Sequence, residues 1–263
     1  MSTFLFDKII FGPVRSRRLG VSLGVNLLPI DSKVCSFNCI YCECGWNPEK
    51  REKKVVLPTR EEVKKLLKHK LLEMKAEGEL PDVITFAGNG EPTLHPDFEA
   101  IIDDTVQLRD QLDPNGKIAV LSNSTMLNKA SVVNALKKVD DNILKLDSAI
   151  PETVNIIDCP VGRFSLAETI ENLKKFKGQL IIQTLFLRGN FRGQAVDNTT
   201  TKEIDALIKA IKEIRPRQVM IYTIARDTPA ENLEKVSSKD LKRIGTQIED
   251  ESGIPVRITY NME

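Results

Sequence analysis

A chain of 263 residues, 41% hydrophobic and 29% charged, is long enough to bury a sizeable core and has the makeup of an ordinary globular protein. Its 38 Lys and Arg against 37 Asp and Glu leave a formal charge of +1, which argues against a broad basic footprint for nucleic acid or an anionic membrane surface. No run approaches the roughly 18 apolar residues of a membrane span, and Met1–Gly12 lacks a basic-then-apolar leader, so the expected compartment is the cytosol with no membrane partner.

In chain order, the first expected strand is Val21–Leu28. Thr59 and Glu62 then stand three apart, as in a capping box, ahead of an apolar helical face of Val63, Leu66, Leu67, Leu71 and Met74. The short run Val83–Phe86 reads as a strand buried on both faces, followed by a helix that begins with Phe98, Ile101 and Ile102. Strands Ile118–Leu121 and Ile143–Leu146 flank a short helix carrying Val132, Val133 and Leu136. Ser165 with Glu168, and Thr200 with Glu203, open two more helices around the strand Leu180–Leu185. Val219–Tyr222, a helix over Lys239–Glu249 and a strand near Val256–Tyr260 complete the pattern.

Strand–helix alternation repeated about six times predicts a parallel α/β fold with right-handed crossovers and a working face at the carboxyl ends of its strands. An open sheet and a partial barrel share this pattern. No linker or low-complexity stretch divides residues 1–263, so a single domain is expected.

Four of the five cysteines fall between Cys35 and Cys44, and the only histidines are His69 and His95. Such a cluster in a cytosolic chain points to metal rather than to disulfides, and the scarcity of histidine excludes a histidine-rich site. Cys35, Cys39 and Cys42 are separated by three residues and then two. One tight loop of that size can direct three thiolates at one inorganic cube, and with only three supplied one iron would have an open position that could chelate a cofactor. A zinc site using Cys44 as fourth ligand, in a binding module without chemistry, is the alternative, although zinc ligands usually come as two separated pairs. Spacing alone leaves both open, together with cysteines that bind nothing.

The same loop, with the aromatic Tyr41 just before its last cysteine, resembles the signature of the radical S-adenosylmethionine (SAM) superfamily. Phe11-Gly12-Pro13-Val14, Ser16–Gly20, Ser22–Val25, Gly88–Thr93, Gln183-Thr184 and Ile221-Tyr222 extend the resemblance over nearly the whole chain. They resemble in particular the Fe–S oxidoreductases related to wyosine-base synthases. The resemblance implies a partial (β/α)6 TIM-like barrel of parallel strands and a [4Fe–4S] cluster on Cys35, Cys39 and Cys42. It also implies SAM bound beside Tyr41 and cleaved reductively to a 5′-deoxyadenosyl radical, and an electron donor such as flavodoxin or ferredoxin. It gives Gly88, Asn89, Gly90 and Glu91 the role of binding the SAM amine, through backbone carbonyls and the Glu91 carboxylate.

Polar residues at strand ends supply further candidates for the cofactor: Ser122, Asn123, Asp147, Gln183 and Tyr222. Each serves equally well as a helix cap, a loop hydrogen bond or a packed side chain. Arg17, Arg18 and Arg226 are candidates for an anionic substrate group. Cys44 and Cys159 stand outside the three-ligand set. The substrate is left open among a small molecule, a peptide, a partner enzyme as in glycyl-radical activation, and a tRNA. The balanced charge and the absence of a second group of three cysteines weigh against the tRNA.

Overall fold

The computed structural model of the chain describes residues 4–16, 19–49 and 55–260. Helix α1 (Arg60–Glu77) forms as its spacing demands: Val63, Leu67, Leu71 and Met74 recur on one face and are buried. The Thr59 hydroxyl accepts from Glu62 N while Glu62 reaches back to Thr59 N, so both halves of the capping box are made. Gly78 stops the helix at φ +76°, a left-handed turn that suits glycine. Leu66 differs from expectation and is 40% exposed, because three residues from Val63 it stands about 60° off the buried stripe.

The helices α2 (Phe98–Leu112), α3 (Ala130–Leu136), α4 (Pro151–Ile157), α5 (Leu166–Lys174), α6 (Thr201–Ile214) and α7 (Ser238–Ser252) follow. Ser165 and Thr200 cap α5 and α6 by accepting from the third amide of each helix. Seven-residue α4, with Pro151 in its first turn, is too short to show a period in the sequence.

The strands are β1 (Ile10–Ser16), β2 (Gly20–Val25), β3 (Val83–Phe86), β4 (Lys117–Ser122), β5 (Asp141–Lys145), β6 (Ile181–Phe191), β7 (Gln194–Asp197), β8 (Gln218–Thr223), β9 (Leu233–Lys235) and β10 (Val256–Ile258). They lie in the order β1-β2-β3-β4-β5-β6-β8-β10. Every neighbour from β2 onward along that path pairs in parallel, and β1 is antiparallel to β2. β1 and β10 are the free ends of the order, so the sheet curls into a partial, TIM-like barrel that does not close.

Alternate residues of each strand face opposite ways. One set, including Leu23, Ile84, Phe86, Val120, Leu144, Ile182 and Ile221, packs against the helices. The other set fills the inside with an apolar layer of Val83, Ala119, Ile143, Ile181 and Met220. Toward the carboxyl ends the inward residues turn polar, as Thr85, Lys145, Gln183 and Tyr222.

Strand β6 runs on past the barrel rim. Its residues through Phe186 pair with β8, and those from Leu187 pair antiparallel with β7 and β9 as a small flap. Asn198 fastens the flap: its amide donates to Asp147 O and Leu185 O, and its carbonyl accepts from Leu187 N. The flap strands β7 and β9 escape a sequence reading because four and three residues, mostly exposed, carry no alternation.

Leu67, fully buried in the α1 interface, sets the expected size of a core defect. Leu67→Ala should lower the unfolding free energy by about 2–5 kcal/mol, read from the urea midpoint at unchanged slope.

Candidate functional site

The cysteine loop lies over the carboxyl ends of β3, β4 and β5, and its anchors are local. Val34 N donates to Asn89 O at 2.9 Å, and Glu91 N donates to Val34 O at 3.1 Å, forming a bridge between the loop and the turn after β3. That bridge requires glycine. Gly90 has φ +134°, and a Cβ there would stand 1.9 Å from Val34 O. The close approach expected of this glycine for a ligand is thus made by the cysteine loop itself. Asn47 ties off the far side: its carbonyl accepts from Cys35 N at 2.8 Å, and its amide donates to Cys35 O, Phe37 O and Asn38 Oδ1. Phe37 and Ile40 are buried, and Ile40 N donates to Ile157 O at 2.9 Å.

Each thiol then meets a different partner. Cys35 Sγ accepts from Phe37 N at 3.4 Å and Asn123 Nδ2 at 3.5 Å. Buried Cys39 accepts from Lys145 Nζ at 3.4 Å. Cys42 accepts from the Cys44 thiol and lies beside Lys33, whose ammonium donates to Gly45 O at 2.7 Å. The Cys44 hydrogen bond, with Lys33, brings Cys42 down to about 6 despite burial. Burial pushes Cys35 up to about 11, and it raises Cys39 against the pull of Lys145. Cys44 is raised because it is the donor in the Cys42 pair.

Beneath Cys39 is an ionic cluster. Lys145, at the end of β5, pairs with Asp147 Oδ2 at 2.7 Å and Asp158 Oδ1 at 2.8 Å. The Tyr41 hydroxyl bonds both Lys145 and Asp147, and Lys145 Nζ lies 4.4 Å from the centre of the Tyr41 ring. Burial alone would lower Lys145, but the two carboxylates and the Cys39 sulfur hold it well above the usual range. Burial lifts Asp158 to about 7 against the pull of Lys145.

The structure places the other expected residues as follows. Glu91 is buried and accepts from Thr93 N, the Thr93 hydroxyl, Ser122 Oγ and Asn123 N, so its carboxylate joins the ends of β3 and β4. Burial still keeps its carboxyl above the ordinary range. Asn89 points away from the cysteines, bonding Phe6 and Pro29 backbone. Gly88 O accepts from Gly90 N at 2.8 Å and from the Cys44 thiol at 3.5 Å. Asn123 reaches Cys35 and Ser36, while Asp147 accepts from Leu185 N as well as from its ionic partners. Gln183 and Tyr222 sit on neighbouring strands facing Lys145 inside the barrel. Arg226 pairs with Glu43 at 2.5 Å on the surface. Arg17 and Arg18 lie outside the described residues.

Four residues that shape the site are absent from the sequence reading: Lys33, Asn47, Lys145 and Asp158. Lys145 leaves a trace, a single charge inside the apolar run Ile143–Leu146; the other three sit in loops with no local pattern.

A cavity of about 890 Å³ lies at the opposite end, among Asp82, Lys117, Asp141, Arg217 and Arg257 at the amino ends of the strands. The apolar layer of Val83, Ala119, Ile143, Ile181 and Met220 separates it from the cysteines. The chemistry-bearing groups are therefore at the upper end, despite its smaller open volume.

The donor set, three thiols from one short loop, is of the kind that holds an iron–sulfur cube, and each thiol has its own polar neighbour.

An open parallel barrel with a three-thiol loop at its carboxyl ends defines a class of cofactor-dependent enzyme scaffold. The family model described as "Radical SAM superfamily" matches residues 30–190, and the chain belongs to that superfamily, whose cofactors are SAM and a [4Fe–4S] cluster. It is 29% identical over 258 residues to a protein named "GTPase Obg" of Brachyspira hyodysenteriae, covering 97% of this chain and 35% of that protein. It is also 29% identical to a "UPF0026 protein" of Synechocystis sp., covering 94% and 95% of the two chains. Among solved structures it is similar to a radical SAM methyltransferase from Sphaerobacter thermophilus, with TM-score 0.66 and 15% identity over 91% of this chain and 66% of that one. A structure of TYW1 with a lysine-pyruvate adduct bound aligns at TM-score 0.58 and 14% identity, over 87% and 73%. Helices long and apolar enough to cross a membrane are absent among the described residues.

Gly90→Ala should cost the protein its iron as well as its SAM affinity, since a Cβ would push the Val34 carbonyl and with it the cysteine loop. Iron per chain after anaerobic reconstitution reads this, and full iron would show that the loop tolerates the methyl group. In metal-free protein one thiolate should appear as pH rises through about 6, seen as absorbance near 240 nm. Cys42→Ser should abolish that step, and Lys33→Met should move it to higher pH.

Proposed function

We propose that this chain uses Cys35, Cys39 and Cys42 to hold a [4Fe–4S] cluster and cleaves SAM reductively, giving methionine and a 5′-deoxyadenosyl radical that takes a hydrogen atom from its substrate. The observation that carries the reading is the loop of Cys35, Cys39 and Cys42, pinned at the carboxyl ends of an open parallel barrel. The bound group supplies one-electron chemistry. The chain's own residues supply position and exclusion.

Val34, Asn47 and Ile40 anchor the loop that carries the three sulfurs. For the charged and hydroxyl groups of SAM the reading uses the backbone of Gly88–Gly90, with Asn123, Gln183 and Tyr222 at the strand ends. Glu91 and Asp147 serve it as braces, because their oxygens already accept from the protein. The apolar layer keeps water from the lower cavity out of the upper chamber. The substrate enters over the flap, where Trp46, 39% exposed, stacks on Phe191 with ring centres 6.0 Å apart. Turnover draws on a low-potential one-electron donor of the flavodoxin or ferredoxin kind.

Anaerobically reconstituted protein should carry about four iron per chain and form 5′-deoxyadenosine from SAM and dithionite, read by chromatography. Cys35→Ala, Cys39→Ala and Cys42→Ala should each reduce both to background, while Cys44→Ala and Cys159→Ala retain them. Colourless protein holding one zinc, or loss of iron in Cys44→Ala equal to the other three, counts against the reading. Metabolite and nucleoside profiling of a deletion strain then identifies the substrate.

A further inference from the structure

Lys145 is a cation where the fold has little reason to bury one. It ends β5 on the inward face, its side chain is 14% exposed, and its ammonium is 3.4 Å from Cys39 Sγ. Two carboxylates hold it there, Asp147 at 2.7 Å and Asp158 at 2.8 Å, and the Tyr41 hydroxyl also accepts from it. Asp147 is itself fixed by Leu185 N at 2.9 Å, so the ammonium has a defined place rather than a mobile one. Asp158 also meets the Cys39 thiol through its carboxyl group. One sulfur of the loop therefore has an ammonium group and a carboxyl group built against it, while Cys35 has a neutral amide.

We infer that Lys145 and Asp158 act in opposite directions on the reduction potential of a cluster carried by Cys35, Cys39 and Cys42, Lys145 raising it and Asp158 lowering it. The inference rests on the function proposed above. Reduction adds one electron to the cluster, so the product is one unit more negative than the reactant. A fixed cation at a ligand sulfur favours the more negative form, and an N–H donor to that sulfur does the same. A fixed anion at the same sulfur opposes it. Lys145 and Asp158 are thus positioning residues acting through Cys39.

The test is a potentiometric titration of reconstituted protein poised with dithionite and mediators, following the electron paramagnetic resonance signal of the reduced cluster. Lys145→Met should shift the midpoint to lower potential, Lys145→Arg should restore it toward the parent value, and Asp158→Asn should shift it upward. Where Lys145→Met fails to retain iron, because it strands two carboxylates, Asp158→Asn decides alone. Coincident midpoints for the parent and Asp158→Asn, or a downward shift in Asp158→Asn, would overturn the inference. A parent protein with no cluster signal after reconstitution defeats the proposed function itself, which is a different result from a cluster whose midpoint ignores these charges.

Discussion

The site depends on a contact between two backbones. Val34 and the turn after β3 can exchange hydrogen bonds only because nothing projects from Gly90, and that exchange brings the cysteine loop down onto the barrel. Everything above follows from it. Glu91, next in sequence, is carried inward where Thr93, Ser122 and Asn123 saturate its carboxylate. Asn123 is thereby set to reach Cys35. A strand end, a loop and a neighbouring strand end are fixed by one short stretch of chain, with the buried carboxylate as the common acceptor. Four donors on one buried carboxyl group make it costly to move any of them singly, since a broken bond leaves the group unsatisfied.

The charges of the upper chamber are arranged with similar economy. Lys33 and Lys145 stand on opposite sides of the thiols, one against Cys42 and one against Cys39. Sulfur ligands bind metal as thiolates, and three thiolates on one loop repel each other. Two ammonium groups, each tied to a backbone carbonyl or to carboxylates, offset that repulsion without competing as ligands, because a lysine that is protonated has no lone pair to offer. The unequal thiols follow: Cys42 is the readiest anion, while Cys35 and Cys39 are held back by burial.

Much of this was legible in the sequence where the signal is periodic or local. The capped helices and the short apolar strands are written in helical spacings and buried runs, the barrel rather than an open sheet comes from the family resemblance, and Thr59 with Glu62 marks the start of α1 to the residue. The three-then-two cysteine spacing is a local signal too, and the structure puts all three thiols at the predicted end of the barrel. What escaped is what depends on distance in the fold. Lys145 and Asp158 are thirteen residues apart and meet only because α4 folds back beneath the loop. The directions of the Asn89 and Glu91 side chains are likewise not legible: one points to the N-terminal segment and the other into the sheet, a choice made by the backbone path through Gly90 rather than by residue type. The flap was invisible because exposed strands of three or four residues have no hydrophobic face to alternate.

The layer of Val83, Ala119, Ile143, Ile181 and Met220 gives the barrel the character of a vessel with a false bottom. Above it are sulfur, ammonium and carboxylate groups whose spacing tolerates little change. Below it the strands begin at a charged mouth in which Arg217 pairs with Asp141 and no residue of the upper chamber takes part. Substitutions can accumulate at that lower mouth, altering surface charge or shape, while the chemistry on the other side of a single stratum of hydrocarbon is left undisturbed. The two ends of one set of strands are in this sense separate compartments within the same chain.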